Sequence, residues 1–453
     1  MSFSPAKAAI RFGTGLDLRH AAPVDPAALW GSLKAEARPG FAITSWDTRR
    51  EYARQRWEVR RALRDAPDDD TLRADLGRLN QTDRMASLSD LRASLARLSA
   101  APVGFHARLT RFWANHFSVM AQGGILRSAR ASFVEDTIQP HVTGQFRDIL
   151  HATTLHPLML AYLDQSRSVG PFSMVGRGQG RGLNENLARE LLELHTLGPN
   201  GDYTQDDVTQ IARLLTGLTF DLENGFRFEP RIAEPGIIEI FGKRYGGRPM
   251  FVEHVLELLD DLAMHPDTAR HLATKLVRHF VSDAPDEQLV AHMTASYLQS
   301  GGELMALYRA LLEHPAAWEG GPGKIRAPME LMAASLRALD VPPDQIIDLS
   351  PRVTNRWLLM PLADMGEPHE QVPSPAGHGD LAVYWVTPQA LAARTLWTMG
   401  LPLRLEDVPD PRRFVETALG GQASDGLQFA AAGAETRAEG VGLVLASPEF
   451  SRR

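Results

Sequence analysis

A mainly α, multi-helical globular protein with one small inserted β-hairpin is what this sequence predicts. Three observations carry that reading. Apolar residues recur at three- and four-residue spacing through most of the chain, and alanine- and leucine-rich charged segments dominate. Only one stretch alternates apolar and polar residues around a turn signal. At 453 residues, 44% hydrophobic and 23% charged, the chain can bury a sizeable core, which excludes a disordered or collagen-like protein. With no cysteine it has no disulfide framework, no thiolate nucleophile and no cysteine-held zinc or iron–sulfur cluster.

Taken in order, residues 1–100 form an N-terminal helical region, with long helices expected over 48–66 and 70–99. A helical core follows over 101–345, with helices readable near 103–120, 131–150, 184–196, 205–216, 250–264, 267–282 and 327–340. A loop-rich C-terminal region over 346–453 ends in a helix. Helix starts share one grammar. His156-Pro157, His265-Pro266, His314-Pro315 and Ser447-Pro448 each follow an apolar stretch. Proline suits the first helical turn, where its missing N–H would have no partner, and the residue before it is pushed toward a cap conformation. These histidines are expected to punctuate helices rather than bind ligands. Thr204 and Asp207 have the spacing of a capping box. The hairpin is expected near 219–241: Thr219 to Leu222 and Phe226 to Phe228 flank Asn224-Gly225, and Ile237 to Phe241 offers a third short strand. Residues Met365 to Asp380, with His369 and His378, read as a long surface loop.

The net charge of −7 argues against a nucleic-acid partner. The one basic cluster, Arg49 to Arg64 around Trp57, reads as a solvated helical face with Arg54 and Glu58 paired four residues apart. No run of 18 apolar residues exists, and residues 1–30 lack a basic start followed by an apolar stretch. Neither a membrane span nor a cleaved signal peptide is expected, so the chain is taken to be cytoplasmic as synthesised.

Candidate chemistry is sparse. The segment Gly176 to Gly182 could wrap an anion before a helix, with Arg177, Gly178, Gly180 and Arg181 as the binding residues. Its spacing fits neither the dinucleotide nor the P-loop fingerprint, and a flexible surface loop is the plainer account. In NENLARELLELHTLG, Asn184 to Gly198, the residues Leu187, Leu191 and Leu194 form an apolar stripe. Asn186, Arg189, Glu190 and Glu193 form a polar one. Two carboxylates at that spacing could act as acid and base, or hold a divalent metal, if they faced a cleft. The Glu-x-x-His pattern of a di-metal helix is absent. His116, on the stripe of Phe105, Leu109 and Phe112, is the histidine most worth testing, with His279 second. No His-Glu-x-x-His or Gly-x-Ser-x-Gly occurs.

RFWANHF, the segment Tyr162 to Asp164, the Asn184 to Gly198 helix, GDYTQDDVTQIARLLTGLTF, KLVRHFVSD and the closing ASPEF follow in the order seen in one bacterial family. Together they resemble domain of unknown function 1800 (DUF1800), firmly over about 105 to 450. The resemblance implies no particular reaction. It does imply a gene neighbourhood with a sulfatase-like family, domain of unknown function 1501 (DUF1501), whose members often carry an export signal. The chain departs from the family pattern at Ile232 to Gly236 and at Pro373 to Asp380. The resemblance therefore points to a non-catalytic accessory or binding protein acting with a sulfatase-like partner, and leaves open export bound to that partner. The competing expectation is a metal-dependent or acid–base enzyme, such as a hydrolase, using Glu190, Glu193 and His116 with Arg189 and Asn186 orienting them.

Overall fold

The computed structural model describes residues 3–36, 40–120, 126–179, 182–320 and 323–453. It is mainly α-helical. Two apolar cores organise the helices. The first runs from Ala8 to Trp318 and is centred on aromatic side chains of helix Phe105–His116 and their neighbours, among them Trp113, Phe146, Phe280 and Tyr308. The second gathers Leu91, Leu95 and Leu98 from helix Asp70–Ala100 with helix Pro328–Ala338 and residues out to Phe450. Every residue of helix Pro328–Ala338 is buried, including Glu330 and Arg337. A helix apolar all round belongs inside a core, so the two charges it carries must find partners there.

The helix grammar works through imidazole rings. Nδ1 of His156 accepts the Leu158 N–H at 3.1 Å, that of His265 the Asp267 N–H at 3.2 Å, and that of His314 the Ala316 N–H at 3.3 Å. Each histidine is thus the cap of the helix its proline opens, an office usually held by serine or aspartate. Ser447 caps the last helix in the same way, and Thr204 with Asp207 forms the expected capping box.

Three expectations need correction. Two hairpins exist rather than one: β1 (Leu218–Asp221) pairs with β2 (Gly225–Phe228), and β3 (Gly236–Ile240) pairs with β4 (Lys243–Gly247) in a separate sheet. The second turn, Phe241-Gly242, has positive φ at both residues, the two-residue geometry that favours Asn-Gly. Phenylalanine at the first position hid that signal. The basic cluster is not wholly a solvated face. Arg54 does pair with Glu51 and Glu58 at the surface, but Arg49 and Arg56 turn inward to Asp83 and Asp90. Finally, the helix expected over 184–196 is α-helical only from Asn186 to Glu190 and then widens into a π-turn, Leu191–His195. The extra residue per turn rotates the register, so Leu192 is fully buried while Leu194 is only partly so.

Candidate functional site

A partly open cavity of about 440 Å³ lies where residues of both cores meet. That size is within the ~300–1,000 Å³ typical of small-molecule sites. Its long wall is helix Phe105–His116, which contributes His106, Ala107, Arg111, Ala114 and Asn115. Its other charged walls come from Arg130, His279, Glu330, Arg453 and the segment Glu367–Asp380.

That segment is a loop, as expected, exposed at Gln371, Pro373, Ser374 and Ala376, but it also turns His369, Glu370, His378 and Asp380 onto the cavity wall. The Asn115 carboxamide clamps the backbone of His378 within it: Nδ2 donates to the His378 carbonyl and Oδ1 accepts the His378 N–H, both at 2.8 Å. Gly377 allows this approach, since its φ is +76° and a Cβ there would lie 2.4 Å from Asn115 Oδ1. Glu370 accepts the N–H groups of Arg130 and Ala131 at 2.7 and 3.0 Å, an anion at a helix start. Asp283 accepts the Ala382 N–H at 3.1 Å and pairs with Lys324, fixing the exit of the segment.

The buried charges are arranged in pairs. Glu330 is held by Arg108 at 3.0 Å and by Arg453 at 3.1 Å. Burial opposes its ionisation, but Arg108 and Arg453 override that and hold the carboxyl far below its ordinary range. Glu367 pairs with Arg111 and accepts the Met329 N–H at 2.9 Å, and Glu135 pairs with Arg97 at 2.5 Å. Glu36 accepts the N–H of Val103 at 2.6 Å. Desolvation raises its pKa in spite of that bond.

One pair is different in kind. His279 Nδ1 lies 2.7 Å from Asp380 Oδ1, across 101 residues of sequence. Burial pushes the Asp380 pKa up, yet His279, Lys324 and Arg453 pull it down to about 2. An ionised carboxylate can only accept, so Nδ1 carries the proton. Nε2 then holds a lone pair, and it is buried with no hydrogen-bond partner among the described residues. Burial also lowers the His279 pKa against the pull of Asp380, which keeps the ring neutral at ordinary pH. A neutral imidazole with a carboxylate behind it can take a proton from a bound molecule.

The residues singled out in the sequence fall elsewhere. His116 is sealed among Phe112, Trp113, Phe117 and Phe146, and its Nε2 donates to the His195 carbonyl at 3.0 Å. Burial, then the neighbouring Lys275 and His271, drive its pKa well below the ordinary value. It makes no hydrogen bond to Glu190 or Glu193. Those two are partly buried beside Tyr162 and Tyr203, and burial together with Glu193 raises the Glu190 pKa. Arg189 bonds Glu185 and Gln205, and Asn186 is exposed. Among the described residues no group of three or more His, Asp or Glu side chains could hold a metal ion. Gly176–Gln179 is a short helix with Arg177 exposed beside a second hollow, while Gly180 and Arg181 lie outside the described residues. In the first departure from the family pattern, Glu234 is fully buried and takes Arg213 at 2.8 Å and the Phe172 N–H at 2.9 Å.

Asp380, Arg130, Glu330 and Glu367 were missed. Only Glu330 left a readable trace, as the lone acid in an otherwise apolar stretch of helix.

The fold and the cavity define a helical protein with a partly open pocket, lined by charged and apolar residues, between two cores. The chain matches the family model described as a protein of unknown function (DUF1800) over residues 8–452, and it belongs to that family. No curated protein and no solved structure matches it. Two segments behind the resemblance meet at the cavity: RFWANHF supplies Arg111 and Asn115, and KLVRHFVSD supplies His279.

Proposed function

We propose that the protein binds a small organic molecule in the 440 Å³ cavity and acts on it by proton transfer, with His279 as base and Asp380 orienting it. The observation that carries this reading is the unpartnered His279 Nε2 on the cavity wall, with its carboxylate directly behind. A histidine kept for packing alone gains nothing from a buried, ionised carboxylate that brings its own desolvation cost. The test is to incubate a bacterial metabolite extract with wild type and with His279→Gln, and follow its composition by mass spectrometry. At least one compound should be consumed by wild type and spared by the variant. Identical profiles would sink the acid–base reading.

A second reading is the accessory role with a sulfatase-like DUF1501-type partner, and a surface observation favours it. Large apolar side chains stand exposed along 383–429, including Val383 at 64%, Leu396 at 75%, Leu403 at 74% and Phe429 at 82%. Co-expression with the neighbouring protein should then give a complex that Leu396→Glu with Phe429→Glu disrupts. Separate elution of the two wild-type proteins would count against it. The metal-dependent or acid–base use of Glu190, Glu193, Arg189 and His116 draws support only from the raised Glu190 pKa and the adjoining π-turn. Elemental analysis of wild type beside Glu190→Gln tests it, and absence of metal from both would end its metal form.

A further inference from the structure

We propose that the molecule bound in the cavity is a small organic monocarboxylate with a compact apolar body, and that Arg130 takes its carboxylate. This rests on the cavity being a ligand site, as argued above, but not on proton transfer at His279.

The argument is an inventory of donors and acceptors. Every carboxylate of the wall has partners: Glu330 and Glu367 have arginines, Glu135 has Arg97, Asp380 has His279, and Glu36 and Glu370 have backbone N–H groups. Apart from the ring nitrogens His279 Nε2 and His106 Nε2, the unmatched side-chain groups of the wall among the described residues are donors. Arg130 forms no ion pair among the described residues, and its Nε is buried without a partner. Among the described residues its guanidinium makes one hydrogen bond, a long one from Nη2 to the Ala114 carbonyl at 3.4 Å. Arg111 Nε and Arg453 Nη1, on the same cavity wall, are also buried without acceptors. Such groups cost free energy until an acceptor arrives, so the missing component brings oxygen lone pairs.

Charge then selects among acceptors. One guanidinium, that of Arg130, lacks a carboxylate within ion-pair distance among the described residues, with Glu370 and Glu367 acting on it only from farther away, and this matches one negative charge in a fork-to-fork pair. A phosphate dianion would meet a wall already carrying six carboxyl groups, and the N–H groups that start the Arg130 helix are occupied by Glu370. The rest of the lining, including Val103, Ala107, Val134, Met329 and Trp385, offers mainly hydrocarbon. A polar body would lose its water there without replacement.

The experiment is titration calorimetry on the full chain with octanoate, octanol and octyl phosphate as probes, repeated with butanoate. Octanoate or butanoate should bind at least about ten-fold more tightly than octanol or octyl phosphate. Arg130→Met, and Arg130→Gln as a second variant of different shape, should weaken that binding by about ten-fold or more while melting cooperatively. Octanol or octyl phosphate binding as well as the carboxylates would overturn the inference. So would unchanged carboxylate affinity in a folded Arg130 variant, or no binding of either carboxylate at millimolar concentration. His279→Gln separates the two proposals. Carboxylate binding that survives in it, with no turnover of any compound by wild type, removes the proton-transfer reading alone. His279-dependent turnover of an uncharged compound removes this inference alone.

Discussion

His116 and His279 look alike in the sequence and do opposite things in the structure. Each follows an apolar or aromatic helical stripe and precedes phenylalanine. His116 gives its Nε2–H to a backbone carbonyl, leaves its Nδ1 buried without a partner among the described residues, and is closed in by aromatic rings, so its bonding ties two segments of the first core together. His279 gives its Nδ1–H to a carboxylate delivered by a distant loop and leaves Nε2 unmatched on a cavity wall. The helix pattern is shared, and what separates the two histidines is the identity of the acceptor and the space beside the ring. That acceptor is fixed by tertiary contact and not by local spacing.

The largest expected effect tests whether the cavity wall also holds the fold. Glu330→Ala leaves Arg108 and Arg453 buried without their shared carboxylate, and should destabilise by about 3–5 kcal/mol in urea denaturation. A loss under about 1 kcal/mol would mean water reaches those guanidinium groups and the pocket is far wetter than the contacts imply.

The comparison itself is broken or upheld by two substitutions measured side by side. His116→Ala empties a sealed aromatic site and strips the His195 carbonyl of its donor, so a loss of about 3 kcal/mol is expected. His279→Gln keeps a donor for Asp380 and sits beside existing space, so about 1 kcal/mol is expected. Reversed magnitudes would make His279 the structural residue.

Acidification sharpens the same contrast without mutation. His106, His156 and His195 are buried and neutral, with pKa values lowered by desolvation to about 4, 3 and 3. In the unfolded chain each binds a proton near pH 6.5, so below that pH the unfolded state holds more protons and stability falls. The window is from about pH 6.5 down toward the folded values. Each ring contributes up to roughly 1.4 kcal/mol per pH unit there. Melting at pH 7.5 and 5.5 should show this loss, and His156→Asn should reduce it, because asparagine caps the helix without titrating. A pH-independent melting temperature across that window would contradict the neutral, buried state assigned to these rings.

How much of this was legible in the sequence follows from which interactions are local. The His-Pro caps, the Thr204–Asp207 box and the helical periodicity all involve residues within a few positions, and they were readable. Asp380 and Arg130 were not, since nothing near His279 announces a carboxylate 101 residues on, and nothing near Arg130 announces that it lacks one. The π-turn at Leu191–His195 upset the one stripe on which a site had been built, because periodicity assumes a constant number of residues per turn. The Pro373 to Asp380 departure from the family pattern supplies the clamp of His378 and the acceptor of His279, so it sits at the proposed site.

Lys275 gives the smallest and most discriminating effect, because it lies one helical turn from both His271 and His279 and couples to both histidine environments. Its side chain forms no salt bridge or hydrogen bond among the described residues. Burial lowers its pKa to about 8, Asp380 opposes that fall, and Arg278 adds to it. Asp380→Asn removes the opposing carboxylate, so the Lys275 pKa should drop further and more free amine should be present at pH 7. Its rate of modification by an amine-reactive reagent should then rise by about two- to five-fold. The chain has only four other lysines, Lys7, Lys34, Lys243 and Lys324, so peptide mass spectrometry resolves each one and Lys34 serves as the internal reference. Unchanged or slower Lys275 labelling would mean that Asp380 does not set the field on this helix face. The ionised carboxylate assigned to the His279 pair would then lose its support.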